Sequence, residues 1–443
     1  MELNKPLLSI IVTVYNLKMY LSDCLDSILS QAEINYEIIL VNSNSTDGSG
    51  EICSDYDARF DNIRYFIIEG KPVMWQGHRL GMEKASGEYI WFVDGDDLLA
   101  DCVLKVVLKN LNEFKPDVLF GRFKTFLEGN ISNFSDISYE EKYVNDCSKD
   151  DALIYLVDKQ QPVLPTWRLI FSAALYKNVL RNEKFYQLMC NAHQDTGFNA
   201  LILTSAKSIR YTSNILYNYR VRDNSISRTD PSEKILAYCK ALLVLSRVIS
   251  VAAKTEAERN FGYVYYKQFL FLLSTIVGMS EVYWNQNICN DIDDFIKAID
   301  TKLNEAHEKD FTFIVSLISH GTSAALSCLK DDCLAKITQI AVLAKSKGKS
   351  VYLAPAGNVG IFLKSALEQQ GLSISGFFDE DKAKEGMEIA GIMVYYPTNT
   401  VEIIKNKQVT ILIGASYASV PKKMKQNFIS LGLSESDLII IEL

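Results

Sequence analysis

The 443-residue chain predicts an α/β fold: a doubly wound, mostly parallel sheet, then an α-helical region, then a second, smaller α/β unit. Three observations carry this expectation. Short, nearly all-apolar runs alternate with amphipathic stretches from Leu7 to Asp94, the pattern of strands covered on both faces. No proline occurs between Pro231 and Pro355, so the middle third reads as a helical bundle. Strand and helix patterns alternate again from Ser350 onwards.

In chain order, "LLSIIVTVY" (7–15) is a buried strand, and "YLSDCLDSILSQ" (20–31) puts Tyr20, Leu21, Cys24, Leu25, Ile28 and Leu29 on one helical stripe. "YEIILVN" (36–42) is a second strand, and the turn-rich "SNSTDGSG" after it can open a helix. "IRYFII" (63–68) is a third strand, "HRLGMEKA" is helical, and "EYIWFVD" (88–94) is a fourth strand. "DVLFGRFKTF" is a more alternating strand; a helix "SKDDALIYLVDK", the segment "PVLPTWRLIFSAALY" and a helix in "HQDTGFNALILTSA" follow. "ILYNYRVRDNSISR" closes the region. Asp230 is then an N-cap, Pro231 a first helical residue, and Glu233 can reach back to the cap. The domain boundaries expected are 1–230, 231–345 and 346–443. Apolar faces in the helical region serve its own core or a second copy, giving a homo-oligomer.

Charge and cysteine usage narrow the function. Forty-six basic against 54 acidic residues leave a net charge of −8, the wrong sign for a nucleic-acid binder. The nine cysteines are scattered without a CxxC pair, as in reduced cytoplasmic proteins. The four histidines are too dispersed for a zinc site. The N-terminus lacks the basic and apolar regions of a signal peptide, and Phe269–Met279 is about half a membrane span. The expectation is a cytoplasmic protein with at most peripheral membrane contact.

The chemistry is concentrated in "GEYIWFVDGDDLLA". In parallel sheets ligands sit at the carboxyl ends of strands, where this segment gathers Asp94, Asp96 and Asp97. Asp94 and Asp96, two apart in extended chain, can point the same way and offer a hard oxygen site for Mg²⁺ or Mn²⁺ carrying a diphosphate. Asp97, ahead of an amphipathic run, reads as a cap for the next helix.

"SIIVTVYN", "CLDSILSQ", "YEIILVNSNSTDGS", "GMEKASGEYIWFVDGDD", "PTWRLIF", "QDTGFN" and "YRVRDNSIS" resemble, in this order, segments of bacterial family 2 glycosyltransferases of the GT-A fold. The resemblance covers about residues 5–230. It implies an inverting enzyme moving a single sugar from a nucleotide-diphosphate sugar to a glycan acceptor, often lipid-linked, of a bacterial surface polysaccharide. Asp94 would contact the donor ribose, Asp96 the Mn²⁺ or Mg²⁺, and Asp195 would be the catalytic base; an Asp at a helix start can equally be an N-cap. Trp167 would lie against the acceptor sugar or serve the core. Arg220 and Arg222 would stand near the diphosphate or in a solvated loop. Thr13, Tyr15 and Asn16 would frame the base. The chain departs from the family at Ser43, where an acidic residue is usual, and at His78–Arg79, where Arg–Asn is usual. Both departures leave the nucleotide open.

The C-terminal "VYLAPAGNVGIFLKSAL" resembles small Rossmann-like domains of sugar-pathway enzymes. Gly357 and Gly360 match the last two glycines of GxGxxG, Pro355 replaces the first, and Asp379 stands where a ribose-binding acid would. Proline in the phosphate turn favours a docking or regulatory module over a dinucleotide site. The rivals to sugar transfer are a nucleotidyltransferase and a non-catalytic partner of a polysaccharide assembly complex.

Overall fold

The computed structural model describes residues 5–33, 35–69, 74–127, 135–136, 148–158, 165–180, 194–222, 231–247, 253–279, 286–298, 311–400, 408–414 and 419–441. The chain forms two compact units. The first comprises Met1–Leu156, Val163–Asp230 and Arg247–Gly262, and the second Val157–Pro162, Pro231–Ser246 and Tyr263–Leu443.

In the first unit β1 (Leu8–Val14), α1 (Leu21–Leu29), β2 (Tyr36–Asn42), α2 (Ser49–Arg59), β3 (Ile63–Ile67), α3 (Met74–Lys84) and β4 (Tyr89–Asp94) alternate as expected. Then come β5 (Leu98–Leu99), α4 (Val103–Phe114), β6 (Val118–Leu127), β7 (Ser135–Asp136), α5 (Lys149–Asp158), β8 (Leu169–Ser172), α6 (Ala173–Leu180), α7 (Gln194–Ser205) and β9 (Ile209–Val221). The sheet runs β3-β2-β1-β4-β8-β6-β9-β5, with β7 paired to β6. β1 to β4 are parallel to one another, and β8 enters antiparallel to both β4 and β6. β1 and β2 are β-branched and apolar because helices cover both faces, and every residue of β2 is buried. Leu21, Cys24, Leu25 and Ile28 of α1 are buried as the stripe requires, each apolar side chain stabilising by about 1.5–3 kcal/mol.

One polar cluster near the start of these strands escaped the sequence reading. Glu37 on β2 is only 8% exposed. It accepts hydrogen bonds from Ser9 Oγ (2.6 Å) and from the Ser86 N–H and hydroxyl (both 2.7 Å), and it pairs with Arg64 (2.5 Å). Gly87 completes the cluster by donating its N–H to Ser9 Oγ (2.8 Å). A Cβ there would sit 2.6 Å from the Ser9 backbone nitrogen, so only glycine lets the turn into β4 lie this close to β1.

In the second unit helices span Pro231–Arg247, Glu256–Met279 (from Tyr263), Gln286–Ala298, Thr312–His320 and Thr322–Ser346. Pro231 opens its helix; the Asp230 cap lies outside the described residues. The sheet is β12 (Glu388–Ile389), β13 (Ile392–Tyr395), β11 (Ile374–Phe378), β10 (Ser350–Ala354), β14 (Val409–Ile413) and β15 (Leu438–Ile440), in that spatial order and parallel except for β12. Cys333, Ile337, Ala341 and Ala344 of the Thr322–Ser346 helix share a core with Val351, Leu353, Phe377 and Leu412. That helix is thus a layer of the C-terminal sheet as well as the end of the helical run. Asp379 does not stand free for a ribose. Its carboxylate accepts from the Ala356 N–H (3.0 Å) and the Asp381 N–H (2.8 Å) and pairs with Lys384 (2.9 Å). No helix among the described residues is long and apolar enough to cross a membrane.

Two stability outcomes follow for the first unit. Burial alone would raise the Glu37 carboxyl, but hydrogen bonds from Ser9 and Ser86, with the Arg64 charge, outweigh it and hold it below the ordinary range. A depressed folded-state pKa contributes stability above the unfolded value, about 4.3, that is lost as pH falls through the folded value. Glu37→Gln should therefore cost about 1–3 kcal/mol at pH 7 in denaturant melts, and the gap to wild type should narrow below about pH 4. Gly87→Ala, which overpacks against β1, should cost about 1–3 kcal/mol independently of pH.

Candidate active site

Register brings the strand ends together: Thr13 lies opposite Asp94 across β1 and β4, and Val14 opposite Asn42 across β1 and β2. The loops beyond are stitched to each other. The Asn16 N–H donates to Ser45 Oγ (2.9 Å), Asn16 Oδ1 accepts from the Thr46 N–H (2.9 Å), and the Leu17 N–H donates to Ser49 Oγ (2.8 Å). Asn16 has a φ of 53°, a left-handed conformation that asparagine tolerates better than most residues. Its side chain therefore shapes the loop. Tyr15 is 43% exposed, Thr13 half-buried, and Ser43 buried, its N–H donating to Val14 O (2.9 Å). Helix α3 reaches this floor at Gly77, where a Cβ would lie 3.3 Å from Thr13 Cγ2 and 3.6 Å from Ser43 Oγ.

The carboxylates form the adjoining wall. Burial pushes Asp94 well above the ordinary carboxylate range, the negative charges of Asp96 and Asp195 push it further, and Arg222 opposes them. Asp94 thus feels the charges of Asp96, Asp195 and Arg222, although Asp195 comes a hundred residues later in the chain. Asp96 is ion-paired with Arg222. Among the described residues no three His, Cys, Asp or Glu side chains gather into a protein-only metal cage. Asp94 and Asp96 instead offer hard oxygens of the kind that a dication completes with water and phosphate oxygens.

Asp97 corrects the sequence reading. Helix α4 has Cys102 at its N-cap and no side-chain cap bond, so Asp97 does not cap it. It is buried, and its Oδ1 accepts from the Arg220 N–H (2.7 Å). Arg220 returns the contact by donating Nε–H to the Asp96 carbonyl (2.6 Å), and its guanidinium lies between the Tyr20 and Phe126 rings at 5.0 and 4.8 Å. The solvated-loop alternative for Arg220 is excluded: it is a buried latch between β9 and the Asp94–Asp97 turn. Tyr217 is a second latch. Its hydroxyl accepts from the Asp94 N–H (2.9 Å) and hydrogen-bonds Asp97, so burial and the charges of Asp97 and Asp94 raise it well above the usual phenol range.

Asp195 opens α7. Its carboxylate accepts from its own N–H and from the Thr166 N–H, contributed by the 3-10 turn Thr166–Arg168, while burial pushes it up to about 6. The same turn holds Trp167, which is only 5% exposed. Its ring stacks on Tyr217 (centroids 4.3 Å apart, 6° between planes), and its carbonyl accepts from Trp91 Nε1 (2.7 Å). Trp167 belongs to the hydrophobic core. His78 packs against Phe92 at 4.3 Å, and burial lowers it to about 4, so it is neutral at pH 7. Arg79 pairs with Glu83 on the exposed side of α3 (2.7 Å). At the family's usual arginine position the side chain is therefore uncharged, and the cation of this pair is Arg79.

Asp97, Tyr217 and Tyr20 were not legible as site residues. The signal for Tyr217 was its alternation with Tyr219 in "LYNYRVR", which places both rings on the face that carries Trp167.

The family model for glycosyl transferase family 2 matches residues 9–144. The chain is 31% identical over 229 residues to the glycosyltransferase GlyG of Streptococcus pneumoniae serotype 4, covering 51% of this chain and 74% of that protein. It is 29% identical over 199 residues to the GalNAc(5)-diNAcBac-PP-undecaprenol beta-1,3-glucosyltransferase of Campylobacter jejuni, covering 44% and 62%. Among solved structures, Staphylococcus aureus TarS 1-349, crystallised with UDP-GlcNAc, superposes with a TM-score of 0.52 at 19% identity, covering 74% of this chain and 89% of that one. The fold and the match to GlyG agree: the chain belongs to glycosyl transferase family 2, bacterial glycosyltransferases of the GT-A fold.

Proposed function

We propose that the protein is an inverting, metal-dependent enzyme that moves a single sugar from a nucleotide-diphosphate sugar to a glycan acceptor in bacterial surface polysaccharide synthesis. The observation that carries this reading is the position of Asp195, a carboxyl raised to about 6 beside Asp94 at the strand ends. Inverting transfer needs a base that removes the acceptor hydroxyl's proton as that oxygen attacks the anomeric carbon, opposite the departing diphosphate. A base works best with a pKa near the operating pH, and burial supplies that here.

The other residues take roles around it. Thr13, Tyr15, Asn16 and Ser43 border the nucleoside, and Asp94 binds the ribose. Ser43 presents a hydroxyl where a carboxylate would demand a particular base. Asp96, with Asp94 beside it, would hold Mn²⁺ or Mg²⁺. When bound, the ion supplies Lewis-acid neutralisation of the diphosphate leaving group. Arg222 faces the same oxygens, and Arg220 fixes the turn that carries them. Trp167, buried against Tyr217, supports the wall through its backbone turn at Asp195. The polyprenol-diphosphate acceptor in the Campylobacter relative's name supports a lipid-linked acceptor, met at the inner face of the plasma membrane by peripheral contact.

Asp195→Asn keeps both N–H contacts and removes the base. It should lower kcat by about 10²–10⁴-fold while nucleotide affinity stays within about twofold; loss of nucleotide binding would contradict the assignment. Because the active form is the ionised one, kcat/KM of wild type should climb tenfold per pH unit below about 6 and level off above it. Stability should run the other way. A carboxyl raised in the folded state costs stability once pH exceeds its unfolded value, so Asp195→Asn should be more stable than wild type at pH 7.5, by on the order of 1 kcal/mol after discounting its partial exposure, and equal to it below about pH 4.

A further inference from the structure

Arg222 is held unlike its neighbour Arg220. Arg220 is engaged at its N–H by Asp97 and at its Nε by the Asp96 carbonyl, while its Nη2, buried without a hydrogen bond among the described residues, lies 3.7 Å from Asp23. Arg222 closes the same strand two residues on. Its guanidinium lies 5.0 Å from the Tyr20 ring centroid, it pairs through Nη2 with Asp96 Oδ2, and its Nε, buried, has no hydrogen-bond partner among the described residues. The side chains of this pair are only 15% and 17% exposed.

We propose that Arg222 is an internal counter-ion for Asp96 that must exchange partners when substrate arrives. The inference rests on the sugar-transfer reading. Without ligand, Asp96 and Asp195 bear on the buried Asp94 with like charge, and Arg222, paired with Asp96, supplies the balancing charge. Arg222 thus engages one oxygen of the carboxylate that would meet a dication. A dication bound alone would compete with Arg222 for this carboxylate and would leave the guanidinium next to positive charge. When a nucleoside diphosphate binds together with the ion, the released guanidinium gains phosphate oxygens as new partners, using donors in a geometry suited to them. Arg222 thereby makes metal and diphosphate binding mutually dependent, so the site stays closed to free metal and fills as a unit. Linkage requires the dependence to be the same in both directions.

The test uses Mn²⁺ alone as the probe, titrated calorimetrically into the full chain. Arg222→Gln should bind free Mn²⁺ about tenfold more tightly than wild type, because Asp96 no longer has a competing partner. Arg222→Lys, which keeps the charge, should stay close to wild type, and Asp96→Asn should abolish binding in either background. With nucleoside diphosphates then added, the tightening of Mn²⁺ binding should be smaller in Arg222→Gln than in wild type, because only the ion–phosphate contact still couples the two. An unchanged or weaker Mn²⁺ affinity in a folded Arg222→Gln, or no Mn²⁺ binding by any form, overturns the proposal. The enzyme reading fails separately, if wild type consumes no nucleotide sugar whatever its metal affinity.

Discussion

Like-charge repulsion at the end of β4 is the constraint around which the first unit is organised. Asp94, Asp96 and Asp97 crowd one turn, and Asp195 joins them through space. Left in an apolar setting they would protonate or push the turn open. The surrounding structure holds them by specific means: the Arg220 N–H on Asp97, the Tyr217 hydroxyl under Asp94, Arg220 on the Asp96 carbonyl, and Arg222 on the Asp96 carboxylate. Three of these four contacts come from β9. Accordingly β9, thirteen residues long, stays paired with β6 out to Val221, opposite Leu127. Its register sets the latches, and the latches set the turn.

The same wall ties packing to chemistry. Trp167 stacks on Tyr217, Tyr217 touches Asp94, and the turn that carries Trp167 supplies the N–H that receives Asp195. A change in the aromatic stack would therefore be felt at two carboxylates at once. The buried Glu37 cluster at the opposite end of β1 and β2 acts similarly on the scaffold, fixing the approach of β4 to β1. With that approach fixed, Thr13 falls opposite Asp94.

The period-two and period-3.6 patterns made the layers readable, because strands covered on both faces must be apolar throughout. Strands β1 to β4 and helix α1 were legible to within a residue or two. So was the clustering of Asp94 and Asp96, since strand ends are where such sheets gather ligands. Partners chosen by tertiary contact were not legible. Asp97 looks like a helix cap because it precedes an amphipathic run, yet its oxygen is claimed by a strand more than a hundred residues away. His78 sits where the family usually has arginine, and burial against Phe92 leaves it neutral. In the second unit the sequence favoured a docking or regulatory module over a dinucleotide site, and the backbone partners of Asp379, the Ala356 and Asp381 N–H groups, were not legible in it.

The most direct test of the central claim, that this wall binds a diphosphate through a dication, is calorimetric titration of UDP, GDP, CDP and dTDP into wild type, each with and without Mn²⁺. The account predicts that one nucleotide binds, and that it binds only when the ion is present. Binding of none of the four, or binding indifferent to the ion, would contradict it.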